Sequence, residues 1–116
     1  MKVAIVLFAS PEPPCKVMHA FIFARDIKAR GGEARIILEG AAPELLLALP
    51  NPEHKMHALY VKVKQEGLIA GACKACALQA KAIEAAQAEG IALIDDAFGH
   101  VSLAPFIEQG FTVVTL

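Results

Sequence analysis

Five apolar runs recur along the chain, and turn residues or helical patterns separate them. The runs cover residues 2–8, 34–38, 68–72, 91–94 and 111–115. Each run is almost continuously apolar instead of alternating with polar residues, which is typical of strands buried on both faces of a parallel sheet. The pattern therefore predicts five parallel strands.

Helical patterns fill the segments between these strands. Apolar residues spaced as on one helix face predict a helix over residues 15–30, which the pair Gly31-Gly32 ends. Further helices are predicted over residues 44–49, 54–66, 73–89 and 101–109. Alternating strands and helices are typical of an α/β domain whose sheet is covered on both faces. We therefore predict a single domain over residues 1–116, with a five-stranded parallel sheet in a three-layer α/β/α arrangement.

Composition limits the kinds of partner that the chain can have. Apolar residues make up 56% of the 116 residues, and the mean hydropathy is +0.50. No apolar run reaches the roughly 18 residues that a membrane-spanning helix needs, and the first run is too short for a signal peptide, so we expect a cytoplasmic protein. The net charge of −1 includes no basic stripe, which argues against nucleic-acid binding. The apolar surplus instead suggests a subunit interface in a homo-oligomer.

The predicted topology brings most of the reactive side chains to one edge of the sheet. Right-handed crossovers place the carboxyl ends of parallel strands at the same edge, where sites form in open α/β sheets. Three loops converge there, over residues 9–15, 72–76 and 95–100. These loops contain Cys15, Cys73, Cys76, Asp95, Asp96 and His100. We predict the functional site at this edge.

The pair Cys73 and Cys76 is the most informative motif, because it lies where a strand gives way to a helix. A helix N-terminus favours thiolate over thiol, and Lys74 adds a positive charge nearby. Cys73 is therefore predicted to be a nucleophile that transfers sulfur or forms a disulfide, with Cys76 one turn further along the same face. The alternative is that both are small buried residues in an alanine-rich helix.

Cys15 and His100 are further candidates for the same site. Cys15 is either a resolving thiol, which would need its Cα within about 7 Å of a partner, or an ordinary residue at a helix start. His100 can act as an acid or base, or can support a thiolate. In the alternative for His100, the loop only caps the last helix through an aspartate and Ser102.

Two other histidines offer a weaker metal-site hypothesis. His54 and His57 are spaced to share a helix face, and with Cys73 and Cys76 they would form a set suitable for zinc. A solvated helix face is the simpler interpretation, so no metal ligand is assigned. The proline-rich segment 10–14 lacks the glycines of a phosphate-binding loop, so no cofactor site is assigned either.

Three segments of the chain resemble the DsrE/DsrF-like family, the small subunits of sulfur-relay systems that include the TusD-type sulfurtransferase subunits. They are the initial strand Lys-Val-Ala-Ile-Val-Leu, the segment Ala-Cys-Lys-Ala-Cys-Ala-Leu at 72–78, and the closing segment from Gly-His-Val-Ser at 99–102 to 116. The resemblance covers nearly the whole chain and implies a fold with flavodoxin-like layering. It also implies that Cys73 carries a persulfide sulfur and that the chain forms a homo-oligomer or associates with sister subunits.

The motif and the resemblance together predict a sulfur carrier or sulfurtransferase-like protein. Cys73 would accept sulfur from a donor protein and pass it to an acceptor protein, and Cys76 or Cys15 would resolve the persulfide as a disulfide. Two alternatives stay open. One is a thiol-disulfide redox protein that uses Cys73 and Cys76, and the other is a metal-binding or regulatory subunit.

Overall fold

The computed structural model describes all 116 residues and contains one five-stranded sheet. The strands are β1 (Lys2–Leu7), β2 (Glu33–Leu38), β3 (Ile69–Cys73), β4 (Leu93–Ile94) and β5 (Thr112–Thr115). Their spatial order is β4-β3-β2-β1-β5, and every neighbouring pair is parallel. The predicted α/β class with five parallel strands is therefore confirmed.

Six α-helices and one 3₁₀ turn connect the strands. They are α1 (Cys15–Ala29), the 3₁₀ turn Ala42–Glu44, α2 (Leu45–Ala48), α3 (His57–Gln65), α4 (Lys74–Gln79), α5 (Ile83–Ala88) and α6 (Ala104–Glu108). None of them has the length and apolar character that crossing a bilayer requires.

The predicted helix over residues 73–89 is wrong as a single element, because the chain turns between α4 and α5. Lys81 adopts a φ of +57°, and Ala82 N donates to Ala77 O at 2.8 Å. This left-handed residue ends the helix in the way that a glycine usually does. The sequence carries no glycine here to indicate the break.

Two other predicted helices begin later than expected. The helix predicted over 54–66 begins at His57, because Met56 N donates to the His54 ring at 3.0 Å and so forms a turn. The helix predicted over 101–109 begins at Ala104, and Ser102 N before it donates to the Asp96 carboxylate at 2.7 Å. In both cases a side chain binds a backbone N–H outside the helix.

The two faces of the sheet are covered unequally. Ile5 and Leu7 of β1 belong to a core of 20 buried residues, to which α1, α2, α3 and α5 contribute. Ala4 and Val6 point to the opposite face and belong to a cluster of four buried residues, against which Phe106 of α6 packs. The first three crossovers run in one direction across the sheet and the last one returns, which places α6 on the other side. The layers are therefore α/β/α, with α6 as a thin third layer.

Strand register places the candidate site at the carboxyl edge of the sheet. Leu38 of β2 pairs with Ala72 of β3, and Cys73 pairs with Ile94 of β4. The next residue after β2 is Glu39, which therefore lies beside Cys73.

Candidate functional site

Four side chains from three chain segments converge at this edge. They are Glu39, Cys73, Cys76 and His100, and one donor atom of each lies within 4.8 Å of the others. β2 positions the glutamate, β3 and α4 position the cysteines, and the loop after β4 positions the histidine. We call this set the Cys-His-Glu cluster.

Cys73 is the buried centre of the Cys-His-Glu cluster. It is the last residue of β3 and the N-cap of α4, and its sulfur accepts the N–H of Cys76 at 3.4 Å. The sulfur lies 3.1 Å from His100 Nδ1 and 3.8 Å from Gly99 O. The predicted position of this cysteine, where a strand gives way to a helix, is confirmed. α4 has only six residues, so its dipole is small. The hydrogen bond from the Cys76 N–H and the contact with the imidazole therefore stabilise negative charge on this sulfur more than the helix dipole does.

Cys76 has different surroundings, which favour the protonated thiol. Its Sγ donates to Glu39 Oε2 at 3.3 Å and accepts the N–H of Gly40 at 3.2 Å. Burial raises the pKa of Cys76 to about 12, and the hydrogen bonds with Cys73 and Glu39 act in the same direction, against the Gly40 N–H. Cys76 therefore keeps its proton at neutral pH.

Glu39 is the site residue that sequence reasoning missed. Its side chain is 12% exposed, and Oε1 accepts the N–H of Val101 at 3.2 Å. The adjacent Gly40 has a φ of +57°, and a Cβ there would come within 3.1 Å of the Phe8 ring. The position of Glu39 directly after a predicted strand was the available indication, because the edge rule applies to β2 as well as to β1, β3 and β4.

A tight turn presents His100 to both sulfurs. Ala97 and His100 exchange two backbone hydrogen bonds of 2.9 Å, and the central residues Phe98 and Gly99 have φ values of +55° and +84°. The Gly99 carbonyl accepts the N–H of Ala75 in α4 at 3.0 Å, which attaches the turn to the helix. Nδ1 lies 3.1 Å from one sulfur and 3.8 Å from the other, while 53% of the imidazole side chain is exposed. The predicted proximity of His100 to the cysteine pair is confirmed.

The structure leaves Cys15 outside the Cys-His-Glu cluster. Its side chain is exposed at the start of α1, and its sulfur lies 3.6 Å from Nδ1 of His19. The structure therefore gives no support to Cys15 as the resolving thiol, and Cys76 is the thiol placed beside Cys73.

The two aspartates of the predicted site have structural contacts. Asp95 lies 3.5 Å from Lys74 Nζ, so this lysine is paired with a carboxylate. Asp96 binds Ser102 N and so orders the segment before α6. The expectation that an aspartate and Ser102 cap the last helix is wrong, because the N-cap residue of α6 is Leu103 and no side chain caps it.

His54 and His57 do not approach the cysteines. The His54 ring accepts the Met56 N–H, and His57 Nδ1 lies 2.7 Å from Leu49 O. The zinc set proposed from sequence is therefore wrong in both histidines. Glu39 and His100 lie beside Cys73 and Cys76, where the zinc hypothesis had placed His54 and His57.

Two cavities lead to the Cys-His-Glu cluster. One of about 240 Å³ is mainly apolar, and Val6, Phe8, Ile37 and Leu103 line it together with Glu39 and His100. A more open groove of about 430 Å³ passes Cys76 and His100. Cys73 lines neither cavity, so a reactant reaches it past His100 or Cys76.

The comparisons identify relatives of this chain. No family model matches the sequence. The sequence is 33% identical over 121 residues to the uncharacterized protein MJ0733 of Methanocaldococcus jannaschii, and the alignment covers 100% of this chain and 96% of that protein. The two chains belong to one family. The name of that relative states no activity.

A solved structure shares the fold. BT1422 of Bacteroides thetaiotaomicron, described as a conserved protein of unknown function, has a TM-score of 0.68 and 20% sequence identity. The match covers 99% of this chain and 94% of that one. At this identity the likeness concerns the arrangement of strands and helices alone.

Proposed function

We propose that this chain is a sulfur carrier of the DsrE/DsrF-like type, which holds sulfane sulfur as a persulfide on Cys73. The observation that supports the proposal most is the contact of 3.1 Å between Cys73 Sγ and His100 Nδ1. A thiol beside an imidazole can lose its proton to the ring, and the thiolate is the nucleophilic form of cysteine. The N–H of Cys76 supplies a hydrogen bond to the developing charge.

The transfer balances in atoms and electrons. His100 accepts the Cys73 proton, and the thiolate attacks the terminal sulfur of a donor persulfide, R–S–SH. The bond from Cys73 Sγ to that sulfur forms as the donor S–S bond breaks, and the departing R–S⁻ takes the proton from His100. An acceptor thiolate then attacks the outer sulfur, and Cys73 leaves as a thiolate beside the imidazole.

The surroundings of the two cysteines support different roles for them. The Cys76 thiol donates to the Glu39 carboxylate, and a thiolate in its place would face a negative charge. The Cys73 sulfur instead receives an N–H and touches an imidazole. These contacts support Cys73 as the carrier. Cys76 can resolve the persulfide: after losing its proton it attacks the Cys73 sulfur, the Cys73–Cys76 disulfide forms, and the outer sulfur leaves as hydrosulfide.

A donor and an acceptor protein are required by this chemistry, and we assign the reaction to the cytoplasm, where thiols stay reduced. All three cysteines are free.

The thin layer on the α6 side supports association of the carrier with further copies or with sister subunits, because apolar side chains there remain exposed.

A thiol-disulfide redox protein is the second candidate function. The observation in its favour is that both sulfurs approach the same nitrogen, His100 Nδ1. A disulfide oxidant would convert the Cys73 and Cys76 thiols into one disulfide and would itself be reduced to two thiols, with a loss of two protons from the protein.

The mass of the intact protein distinguishes the two functions. Reduced protein incubated with a persulfide donor should gain about 32 Da, the mass of one sulfur atom. Cys73→Ser should abolish the gain, and Cys15→Ser should retain it. Cys76→Ser cannot resolve a persulfide and should retain the adduct. A loss of about 2 Da in the unaltered chain, with no sulfur adduct in Cys76→Ser, would favour the redox function. An undiminished adduct on Cys73→Ser would overturn the assignment of the carrier residue.

A further inference from the structure

The donor atoms of the Cys-His-Glu cluster are spaced like the ligands of a tetrahedral metal ion. His100 Nδ1 lies 3.1 Å from Cys73 Sγ, 3.8 Å from Cys76 Sγ and 3.8 Å from Glu39 Oε2. Cys76 Sγ lies 3.3 Å from the same carboxylate oxygen. Zn–S bonds of about 2.3 Å and Zn–N or Zn–O bonds of about 2.1 Å at tetrahedral angles separate ligand atoms by about 3.4–3.8 Å. These four distances agree with this range to within about 0.5 Å, and the two remaining separations, from Cys73 Sγ to Cys76 Sγ and to the Glu39 carboxylate, are within 4.8 Å.

The chemical identity of the donors selects the metal. Two cysteine sulfurs, one imidazole nitrogen and one carboxylate oxygen are all zinc ligands. Thiolates favour zinc over magnesium or calcium, which prefer oxygen donors. Glu39 is nearly buried and Cys73 is buried, so the cluster is not an exposed group of acidic side chains.

Three backbone N–H groups orient the donor side chains of the cluster. Gly40 donates to the Cys76 sulfur, Cys76 donates to the Cys73 sulfur, and Val101 donates to Glu39 Oε1. The Val101 hydrogen bond leaves Oε2 directed at His100 and Cys76. Outer contacts of this kind orient metal ligands and sustain affinity.

We propose that Glu39, Cys73, Cys76 and His100 bind one Zn²⁺ ion with tetrahedral geometry. All four ligands come from the chain, so the site is closed and leaves no position for a catalytic water. The ion would connect β2, the β3–α4 junction and the turn at 97–100, and would therefore raise the melting temperature. One consequence rests on the proposed function: the zinc-bound and sulfur-carrying forms exclude each other, because both use the Cys73 sulfur.

Titration of the reduced, metal-free protein with Zn²⁺ against a chromophoric chelator tests the site. We expect one zinc per chain. Glu39→Gln, Cys76→Ser and His100→Gln should each weaken binding about 10-fold to 100-fold or more. The matched control removes the other Cys–His pair, because Cys15 and His19 also lie within 3.6 Å of each other. The double variant Cys15→Ser/His19→Gln should bind zinc like the unaltered chain.

Cobalt keeps the proposal testable where a variant fails to fold. Co²⁺ added to the unaltered chain should give the intense visible absorption of a tetrahedral ion and thiolate charge-transfer bands in the near ultraviolet. Weak octahedral absorption, absence of stoichiometric zinc, or loss of binding only in Cys15→Ser/His19→Gln would overturn the site.

A final measurement tests this proposal separately from the sulfur-carrier function. Zinc binding is measured without any sulfur donor, so a metal-free protein that gains no sulfur would refute the carrier function and leave the zinc result intact. If both proposals hold, one equivalent of zinc should suppress the sulfur adduct, and a chelator should restore it.

Discussion

The chain contains two Cys–His contacts, and they differ in the burial of the sulfur. The Cys15–His19 pair has a sulfur-to-nitrogen distance of 3.6 Å, and its sulfur is on an exposed side chain at the start of α1. The Cys73 sulfur lies closer to its histidine, is buried, and also accepts a backbone N–H. The chain therefore holds the same pair of side chains in two environments, one with an exposed sulfur and one with a buried sulfur.

Replacing His100 should slow the reactions of Cys73. His100→Gln removes the proton acceptor, and we expect the rate of sulfur addition to Cys73 to fall about 100-fold near neutral pH, since positioned acid–base groups contribute at least that much. Mass spectrometry of timed samples measures the rate. His19→Gln serves as the control and should leave Cys73 unaffected. An unchanged rate in His100→Gln would remove the imidazole from the mechanism.

Glu89 provides a pH-dependent contribution to stability that is separate from the site. Tyr60 Oη donates to Glu89 Oε1 at 2.5 Å, and Lys64 Nζ lies 3.1 Å from the same oxygen. Burial alone would raise the pKa of Glu89, but the hydrogen bonds from Tyr60 and Lys64 outweigh it and hold that pKa below the ordinary value. The stability from this lowered pKa is complete above the unfolded value of about 4.3 and is lost as the pH falls through the folded value.

Urea unfolding at several pH values checks this contribution. Glu89→Gln should lower the free energy of unfolding at pH 7 by about 1 kcal/mol. The difference from the unaltered chain should vanish in acid, where the glutamate is protonated in both states. Glu84→Gln, on the exposed side of α5, the helix that ends just before Glu89, should change neither value. A difference that persists in acid would assign the loss to packing instead of charge.

At the scale of elements, the junction between β3 and β4 depends on Gly71. A Cβ at this position would lie 2.8 Å from Ala92 O and 2.5 Å from Ile94 Cδ1. β4 has only two residues, and the chain that follows it carries the turn with His100. A displaced β4 would therefore also displace one side of the Cys-His-Glu cluster.

Gly71→Ala should destabilise the fold by about 1–3 kcal/mol through this overlap. Thermal or urea unfolding measures the loss, and zinc affinity should fall with it. Gly67 has a φ of +70° and open space where a methyl group would be added, so Gly67→Ala reports backbone strain alone, about 1 kcal/mol. A Gly71→Ala variant as stable as the unaltered chain would show that β4 moves without cost.

The elements also show what a sequence can predict here. Continuous apolar runs identified all five strands, and the edge rule brought Cys73, Cys76 and His100 together from the sequence alone. Glu39 escaped notice because a single glutamate after a strand has no recognisable spacing to a partner. The break at Lys81 escaped because a lysine took a conformation that usually requires glycine. The separation of Cys15 from the cluster depends on the distance between strand ends, which no local pattern encodes.

At the scale of the whole molecule, the unequal layers leave one side incomplete. No residue of α6 is buried, and β5 beside it pairs on one edge only. Phe8, Leu103 and Ile107 are large apolar residues in or near this side, and all remain exposed. An apolar surface next to an unpaired strand edge is typical of an interface.

We therefore expect the chain to self-associate through the α6 and β5 side. Ile107→Lys and Leu103→Lys should each weaken association by about 10-fold or more, because a charge would enter a desolvated interface. Sedimentation across a concentration series measures this against the chain mass of 12.3 kDa. Ile22→Lys is the matched control, since Ile22 is 44% exposed but lies on α1, on the opposite face of the sheet. Equal effects from all three variants would show that added charge, and not the α6 side, controls assembly, and a monomer at every concentration would refute the interface.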